Sequence, residues 1–281
     1  MTVFAAIERD RFVADFDRAP FVLEHTLAGN DLFELERLVE LAATMPADRI
    51  EYNSGALELD QDPDSTPGNG LTVAETIERI ESNRSWMVIK NVEHDPTYAA
   101  LLQDCLDEIG PYVAADRLLR PEGFVFVSSP GSVTPYHHDP EHNFLLQIRG
   151  TKRVAVFDPR DPVAVAEHQH EAMVRGAHRN LPYRPELADR AITVDLGPGE
   201  AVHIPIGAPH HVEVGGALSI SFSVTFQTTD SLDRRSLHQL NHHLRRLRVR
   251  PTPVGVDPAR DRAKLRLVRA GRRIKRLVGD R

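Results

Sequence analysis

The side chains best suited to chemistry in this sequence are a histidine and an aspartate two residues apart. His137 and Asp139 follow Thr134-Pro-Tyr in a segment with the pattern of a β-strand. Side chains at i and i+2 of a strand project to the same face, so this pair can bind one metal ion, whereas His138 points to the opposite face. A neutral imidazole and a carboxylate suit a borderline divalent ion. The pair therefore predicts a metal site that still needs a third protein ligand.

Two candidates for that ligand, His210 and His211, lie about seventy residues downstream. They follow a Pro-x-Gly turn at residues 205–207, which is predicted to return the chain so that the strand beginning at His210 runs beside the strand of His137. Either would complete a set of two histidines and one carboxylate, which is typical of non-haem Fe(II) oxygenases. The other nearby histidines, His138, His142 and His203, are expected to pack or to support the ligands, and so is His211 if His210 faces the lumen of the barrel.

These two segments together resemble a known family. The spacing Gly-x5-Pro-x-Gly-x2-His over residues 199–210 resembles the second cupin motif, and with Thr-Pro-x-His-x-Asp at 134–139 it resembles the Jumonji-C (JmjC) 2-oxoglutarate oxygenases. The likeness covers residues 123–227 well and the N-terminal third loosely. It implies that Fe(II) is held by His137, Asp139 and His210, with 2-oxoglutarate and O2 as cosubstrates.

Four further residues receive roles from the same resemblance. Lys152, fifteen residues after His137, matches the family lysine that pairs with the distal carboxylate of 2-oxoglutarate. Thr134 and Asn143 match positions that contact this cosubstrate. Thr225 stands where an asparaginyl hydroxylase of the family carries an asparagine, and it is assigned to the cosubstrate site as well.

The pattern around Lys152 supports its role without the resemblance. Lys152, Val154 and Val156 share one face of a predicted strand. A buried ammonium without an anion loses its solvation, and a dicarboxylate would restore a partner. The alternative is an exposed lysine at the end of a hairpin, because Gly150-Thr151 fits a two-residue hairpin loop.

The resemblance does not extend to the substrate. Residues 208–209 are Ala-Pro, whereas the asparaginyl hydroxylase carries two tryptophans there. The predicted activity is hydroxylation of a protein or peptide side chain. Hydroxylation of a free amino acid or natural-product intermediate is the first alternative, and a non-catalytic metal-binding cupin or regulatory binding module is the second.

The predicted fold is mainly β within an α+β class: a double-stranded β-helix with N-terminal helices and a C-terminal helical extension. The predicted organisation is a helical and strand buttress at 1–121, the β-helix core with the metal site at 122–230 and a basic helical extension at 231–281. Helices are predicted from Asp31 to about Met45, after Thr72 and after Asp95-Pro96. The long polar excursion at 158–190 is predicted to be a lid or substrate-binding wall, with a passive insertion as the alternative.

The composition limits the cellular compartments in which the protein is expected. The 281 residues contain one cysteine, Cys105, which excludes an intramolecular disulfide. We find no signal-peptide pattern and no apolar run long enough for a membrane span, so a cytoplasmic protein is expected. The net charge of −7 is uneven, because residues 234–281 hold sixteen Lys/Arg and three Asp/Glu, which leaves −20 for residues 1–233.

The C-terminal extension suggests two kinds of contact. Leu237, Leu240, Leu244 and Leu247 fall at three- and four-residue spacing, which predicts a helical seam and a homodimer. A basic helix at about 259–278 follows a proline-rich break. It is predicted to dock on the acidic body of the same chain, with an acidic partner, nucleic acid or a membrane surface as alternatives.

Overall fold

A computed structural model describes residues 2–113 and 118–279 of the chain. Over these residues the β-structure consists of eleven strands in two antiparallel sheets. In chain order the strands are β1 (Phe21–Glu24), β2 (Ile50–Ser54), β3 (Ser85–Lys90), β4 (Leu119–Ser128), β5 (Val133–His137), β6 (His142–Arg149), β7 (Lys152–Val156), β8 (Ile192–Leu196), β9 (Glu200–Ile204), β10 (His210–Val214) and β11 (Ser219–Gln227).

The two sheets face each other as a double-stranded β-helix. The seven-stranded sheet has the order β1-β9-β6-β11-β4-β3-β2, and the four-stranded sheet has the order β5-β10-β7-β8. Apolar side chains from both sheets meet between them, among them Leu145, Val154 and Val202. The predicted fold class is therefore confirmed.

Seven α-helices are described around the sheets. They are α1 (Arg9–Asp15), α2 (Leu35–Thr44), α3 (Val73–Glu78), α4 (Pro96–Ile109), α5 (Glu167–Met173), α6 (Thr229–Arg246) and α7 (Pro258–Gly279). Thr72 and Glu75 form the predicted capping box of α3, and the Asp95 side chain caps α4. The helix predicted from Asp31 begins later, because residues 31–33 form a separate 3-10 turn capped by Asn30.

The turn at Gly150-Thr151 differs from the predicted hairpin. Strand β6 pairs with β11 and β9, whereas β7 pairs with β10 and β8, so the turn carries the chain from one sheet to the other. Gly150 has φ +71°, and a Cβ atom at this position would overlap the carbonyl oxygen of Leu218. A local turn signal specifies the reversal but not which strands pair afterwards.

The last strand, β11, has two chemically different faces, as its alternating sequence predicts. Phe222, Val224 and Phe226 are buried in the main core, against the N-terminal helices. Ser221 and Ser223 are buried on the other face, toward the space between the sheets. The alternation thus places a polar row where a polar ligand can lie.

The predicted boundaries at 121/122 and 230/231 remain predictions about chain organisation. In the structure β4 begins at Leu119, and β1 to β3 of the N-terminal segment join the larger sheet. After β11 the chain forms α6, which contacts α5 and α7. None of the helices described is both long and apolar enough to cross a membrane.

Candidate active site

Strand pairing brings the predicted metal ligands together. His210, the first residue of β10, lies opposite His137, the last residue of β5, and also opposite Val156 of β7. Asp139 follows β5, and its backbone carbonyl accepts a hydrogen bond from the N–H of Gly207 in the Pro-x-Gly turn. Two stretches about seventy residues apart in sequence thus form one site.

The ligand atoms of His137, Asp139 and His210 lie within 4.8 Å of one another. Asp139 Oδ2 is 3.7 Å from Nε2 of each histidine. His137 Nδ1 lies 2.7 Å from the Pro135 carbonyl oxygen and His210 Nδ1 lies 3.0 Å from that of Ala208. Because a carbonyl oxygen only accepts, each Nδ1 carries the proton and each Nε2 offers a lone pair to the centre.

The electrostatics of these residues fit a divalent cation. Burial lowers the pKa of His210 to about 3, which keeps the imidazole neutral. Burial disfavours ionisation of Asp139, but His137, Arg179 and His210 together hold its pKa below the usual value. Two imidazoles and one carboxylate form the donor set of the 2-His-1-carboxylate Fe(II) sites, which leaves open positions on the metal ion.

The excursion at 158–190 forms one wall of the site. Arg179 Nη1 donates to Asp139 Oδ1 at 2.8 Å, so the second carboxylate oxygen is held by this segment. Asn180 forms a β-bridge with His137, and the Arg179 carbonyl accepts from His138 N at 3.2 Å. The excursion therefore touches the triad directly, which a passive insertion would not require.

Lys152 lies in the same cavity, as predicted. Its side chain is 5% exposed, and Nζ donates to Ser221 Oγ at 2.5 Å. Ser221 in turn donates to Gln147 Oε1 at 2.9 Å. Burial lowers the pKa of Lys152 to about 7, and its ammonium lies 5.4 Å from the centre of the Phe126 ring. Because the side chain is buried, the alternative of an exposed hairpin lysine is wrong. No carboxylate within the described residues pairs with this lysine.

The other predicted cosubstrate residues differ in their placement. Thr134 and Asn143 line the cavity, which has a volume of about 610 Å³ and also contains the metal ligands and Lys152. Asn143 Oδ1 is buried and has no hydrogen-bond partner among the described residues, so it can accept from a ligand. Thr225 Oγ1 donates to the Glu122 carbonyl at 3.1 Å. Its role with the cosubstrate remains a prediction.

The neighbouring histidines have the packing roles predicted for them. His138 packs against His170 on the far side of the strand, and His211 lies beside Tyr183 and Phe157. His142 and His203 stack with each other and with Phe16 in the main core.

Sequence reasoning missed the groups that hold the ligands and shape the cavity. Arg179 is forty residues from Asp139 in sequence, and only the unusual length of the excursion hinted at its place. Gln147 and Ser221 form the polar support of Lys152, and Ser221 belongs to the polar row of β11. Trp86 and Asn53 line the cavity from the N-terminal strands.

A double-stranded β-helix with two histidines and one carboxylate at its open end defines the chain as a metal-binding cupin of the JmjC type. A family model described as "Cupin-like domain" matches residues 38–231. The chain belongs to this family.

Comparison with individual proteins agrees with that class. Lysine-specific demethylase 8 of Danio rerio is 31% identical over 103 residues, which are 34% of this chain and 24% of that protein. JmjC domain-containing protein D of Dictyostelium discoideum is 28% identical over 136 residues, 46% of this chain and 29% of that protein. The matches thus span about a quarter of the length of these relatives. They confirm the predicted resemblance to JmjC proteins.

Solved structures show the same fold over nearly the whole chain. Escherichia coli YcfD aligns with a TM-score of 0.57 and 18% identity, covering 96% of this chain and 69% of YcfD. A second structure of that protein, titled a ribosomal oxygenase in complex with cobalt and 2-oxoglutarate, aligns with a TM-score of 0.51 and 16% identity, over 95% and 66% of the two chains.

Proposed function

We propose that this protein is an Fe(II)- and 2-oxoglutarate-dependent dioxygenase that hydroxylates a side chain of a protein or peptide. The observation that carries the proposal is the joint presence of the His137, Asp139 and His210 triad and the buried Lys152 in one cavity. The triad can bind the metal ion, and the lysine can pair with a carboxylate. Neither feature has another evident use in the fold.

Fe(II) and 2-oxoglutarate both fit the residues that would bind them. The Nε2 atoms of His137 and His210 and one oxygen of Asp139 would hold Fe(II). Lys152 Nζ and Ser221 Oγ would receive the distal carboxylate of 2-oxoglutarate, with Thr134 and Asn143 beside it. The solved relative titled as a complex with cobalt and 2-oxoglutarate supports this pair of ligands.

When bound, Fe(II) and 2-oxoglutarate supply the oxidising chemistry, in which O2 adds one oxygen atom to a C–H bond and 2-oxoglutarate becomes succinate and CO2. The chain supplies position and environment. The carbonyls of Pro135 and Ala208 hold the imidazoles in the tautomer that presents Nε2. The apolar side chains of Leu145, Ile204 and Val212 line the cavity and limit the access of water.

A protein or peptide substrate is supported by the names of the relatives. One is a lysine-specific demethylase and another is titled a ribosomal oxygenase. The cavity is lined by residues from several separate segments, among them Leu57, Lys90 and His178, so a peptide can contact more than one element at once.

The test is mass spectrometry of peptides and metabolites incubated with the protein, Fe(II), 2-oxoglutarate and O2. The expected result is a mass gain of one oxygen together with succinate. The Asp139→Ala variant should lose this turnover, while His138→Ala, which alters a histidine outside the triad, should keep part of it. Full turnover by Asp139→Ala would contradict the proposal.

The same experiment separates the alternatives. A mass gain on a free amino acid or natural-product intermediate, and on no peptide, would assign a small-molecule hydroxylase. Loss of a methyl group would assign demethylation. Metal binding without 2-oxoglutarate turnover under any condition would leave a non-catalytic cupin.

We further propose that the protein acts as a homodimer in the cytoplasm. The seam residues Leu240, Leu244 and Leu247 of the C-terminal extension keep exposed surface, and Leu247 is 74% exposed. Leu237, by contrast, is 3% exposed within its own chain, so the available seam is shorter than predicted. A reducing compartment suits both a ferrous site and the single buried thiol of Cys105.

A further inference from the structure

One side of α7 carries a row of arginines that the proposed reaction does not use. Arg262, Arg266, Arg269 and Arg273 are spaced four, three and four residues apart. At 3.6 residues per turn these positions lie on one side of the helix. This set, called the arginine stripe below, extends over about 16 Å of the helix axis at 1.5 Å per residue.

Most of the charge of the arginine stripe is free. All four residues are exposed. Arg269 pairs with Asp233 of α6 at 2.7 Å, yet its side chain is still 62% exposed. For Arg262, Arg266 and Arg273 we find no ion pair within residues 2–113 and 118–279. The stripe is thus a row of solvated guanidinium groups.

The apolar side of α7 is already occupied. Leu265 and Val268 are partly buried where α7 packs on α6. Lys264 Nζ donates to the Thr252 carbonyl at 2.8 Å, and Asp261 accepts from Gly255 N at 2.7 Å. These contacts fix the rotation of the helix and leave the arginine stripe exposed, with the Arg269–Asp233 pair as its one ion pair to α6 among the described residues.

The acidic body of the chain does not neutralise this charge. Residues 1–233 carry a net charge of −20, but Asp233 is the one member of that range found in an ion pair with α7 among the described residues. The remaining pairs of α7 are local, with Asp257 and Asp261. The ion pairing of α7 with the acidic body is therefore limited to the contact between Arg269 and Asp233 among the described residues.

We propose that the arginine stripe binds the phosphodiester backbone of nucleic acid. The guanidinium fork matches phosphate oxygens in geometry and charge, and a row at four- and three-residue spacing can contact successive phosphates. Residues 258–279 contain no asparagine or glutamine, the side chains that read adenine edges. The proposed contacts are therefore to phosphate oxygens, which carry no sequence information themselves.

The chemistry of the exposed side favours nucleic acid over a membrane surface. A helix that lies in a bilayer interface needs a broad apolar face with large side chains. Leu267, 70% exposed, is the large apolar side chain that the described part of α7 exposes, and Leu265 and Val268 face α6 instead. Between residues 258 and 271 the exposed side of α7 thus carries much charge and little apolar area, which favours a polyanion in water over a bilayer.

A second group of positive side chains lies beside the active site. Arg175, Arg245 and Arg246 line a second cavity of about 600 Å³ at α5 and α6. Gly176 and Ala177 line both this cavity and the active-site cavity. Arg245 is paired with Glu171 at 2.8 Å, which leaves Arg175 and Arg246 as the available charges.

The test is fluorescence anisotropy of labelled oligouridine RNA and of a random-sequence DNA duplex, titrated with the full chain over a range of salt concentrations. The wild-type protein should bind both, with affinity that falls as salt rises. The triple variant Arg262→Gln, Arg266→Gln, Arg273→Gln should bind at least about tenfold more weakly at low salt. Its slope of log K against log salt should be shallower by about 2 to 3, roughly one for each lost phosphate contact.

A matched control distinguishes the effect of the arginine stripe on binding from the effect of total charge. The variant Arg11→Gln, Arg79→Gln, Arg149→Gln removes the same charge from exposed positions in the acidic body and should bind like wild type. Circular dichroism should show equal melting temperatures for all three proteins. Equal losses in both variants would overturn the proposal.

A parallel titration with vesicles of phosphatidylcholine and phosphatidylserine tests the membrane alternative. We expect binding to nucleic acid and none to vesicles. Vesicle binding without nucleic-acid binding, or binding to neither, would overturn the assignment.

Discussion

Among single residues, Lys152 connects the fold most directly to the proposed cosubstrate. Its ammonium is buried and donates to Ser221, and no carboxylate within the described range neutralises it. Replacing Lys152 by methionine, which keeps most of the side-chain volume, should weaken 2-oxoglutarate binding by about 1.5 to 3 kcal/mol, as for a lost charge-assisted hydrogen bond. Isothermal titration calorimetry of the metal-loaded protein measures this change.

The matched control for Lys152→Met is Lys90→Met. Lys90 also lines the cavity, but its side chain is 33% exposed and pairs with Glu51 at 2.6 Å. We expect its loss to leave 2-oxoglutarate affinity almost unchanged. Metal affinity should be unchanged in both variants, and equal 2-oxoglutarate affinity of Lys152→Met and wild type would remove Lys152 from the site.

The lowered pKa of Lys152 also predicts a pH dependence of stability. The unfolded chain holds this proton up to about pH 10.5, while burial lowers the pKa to about 7 in the folded chain. Between these values the unfolded state binds more protons, so the contribution of Lys152 to the free energy of unfolding rises with pH, by about 5 kcal/mol at most. Urea denaturation of the ligand-free protein between pH 7 and 10 should show this rise, and Lys152→Met should lack it.

Arg179 is expected to position the metal-binding carboxylate. Its bond to Asp139 Oδ1 leaves Oδ2 directed at the two histidines. Removing a group that orients a metal ligand lowers metal affinity by about 10- to 100-fold. Arg179→Gln should therefore bind Mn(II) or Co(II) more weakly by that factor, measured by electron paramagnetic resonance or visible absorption. Arg184→Gln, in the same excursion but bonded to a backbone carbonyl, should bind like wild type.

At the level of elements, the turn between β6 and β7 determines how the two sheets connect. Gly131 and Gly150 have nearly the same backbone angle, φ +72° and +71°, but only Gly150 has backbone atoms where a Cβ would lie. An alanine at either position lowers the free energy of unfolding by about 1 kcal/mol, because its side chain is strained in the left-handed backbone conformation. Gly150→Ala should destabilise the fold by about 1 to 3 kcal/mol more, because the backbone at Leu218, just before β11, must move.

Chemical denaturation of both glycine variants tests that difference. The two substitutions are identical in chemistry and in backbone strain, so their difference isolates the contact with Leu218. Equal destabilisation would mean that the close approach of the two strands is not important for the fold.

The same turn shows how far local sequence signals extend. Residues 150–151 predicted the reversal correctly, and the alternation of Lys152, Val154 and Val156 predicted the inward position of Lys152, but the hairpin was wrong. The next strand joins the opposite sheet because pairing depends on all the strands available, not on the turn alone. The capping signals at Thr72 and Asp95, which act within one helical turn, were confirmed.

At the level of the whole molecule, the proposed dimer seam makes a separate prediction. Leu240→Asp combined with Leu244→Asp places two charges in the seam of α6 and should convert a dimer to monomer, measured by light scattering. Leu267→Asp makes the same change on the exposed side of α7 and should leave the oligomeric state unchanged. A wild-type monomer, or a dimer that survives both charges, would contradict the seam.

The sequence alone determined the features that depend on neighbours along the chain. The i, i+2 relation of His137 and Asp139 and the alternation of β11 follow from strand geometry, whatever the rest of the fold does. The motif spacing, through the family resemblance, chose His210 over His211 as the ligand. The turn at 205–207 and the pairing of β5 with β10 then placed it opposite His137.

Only the tertiary structure decided which distant groups meet. Arg179 reaches Asp139, and Ser221 reaches Lys152, because strands and loops far apart in sequence are packed side by side. It also decided that α7 packs its apolar side on α6 and leaves the arginine stripe exposed. Such contacts depend on burial and strand pairing summed over the whole chain, and no local pattern of residue types encodes them.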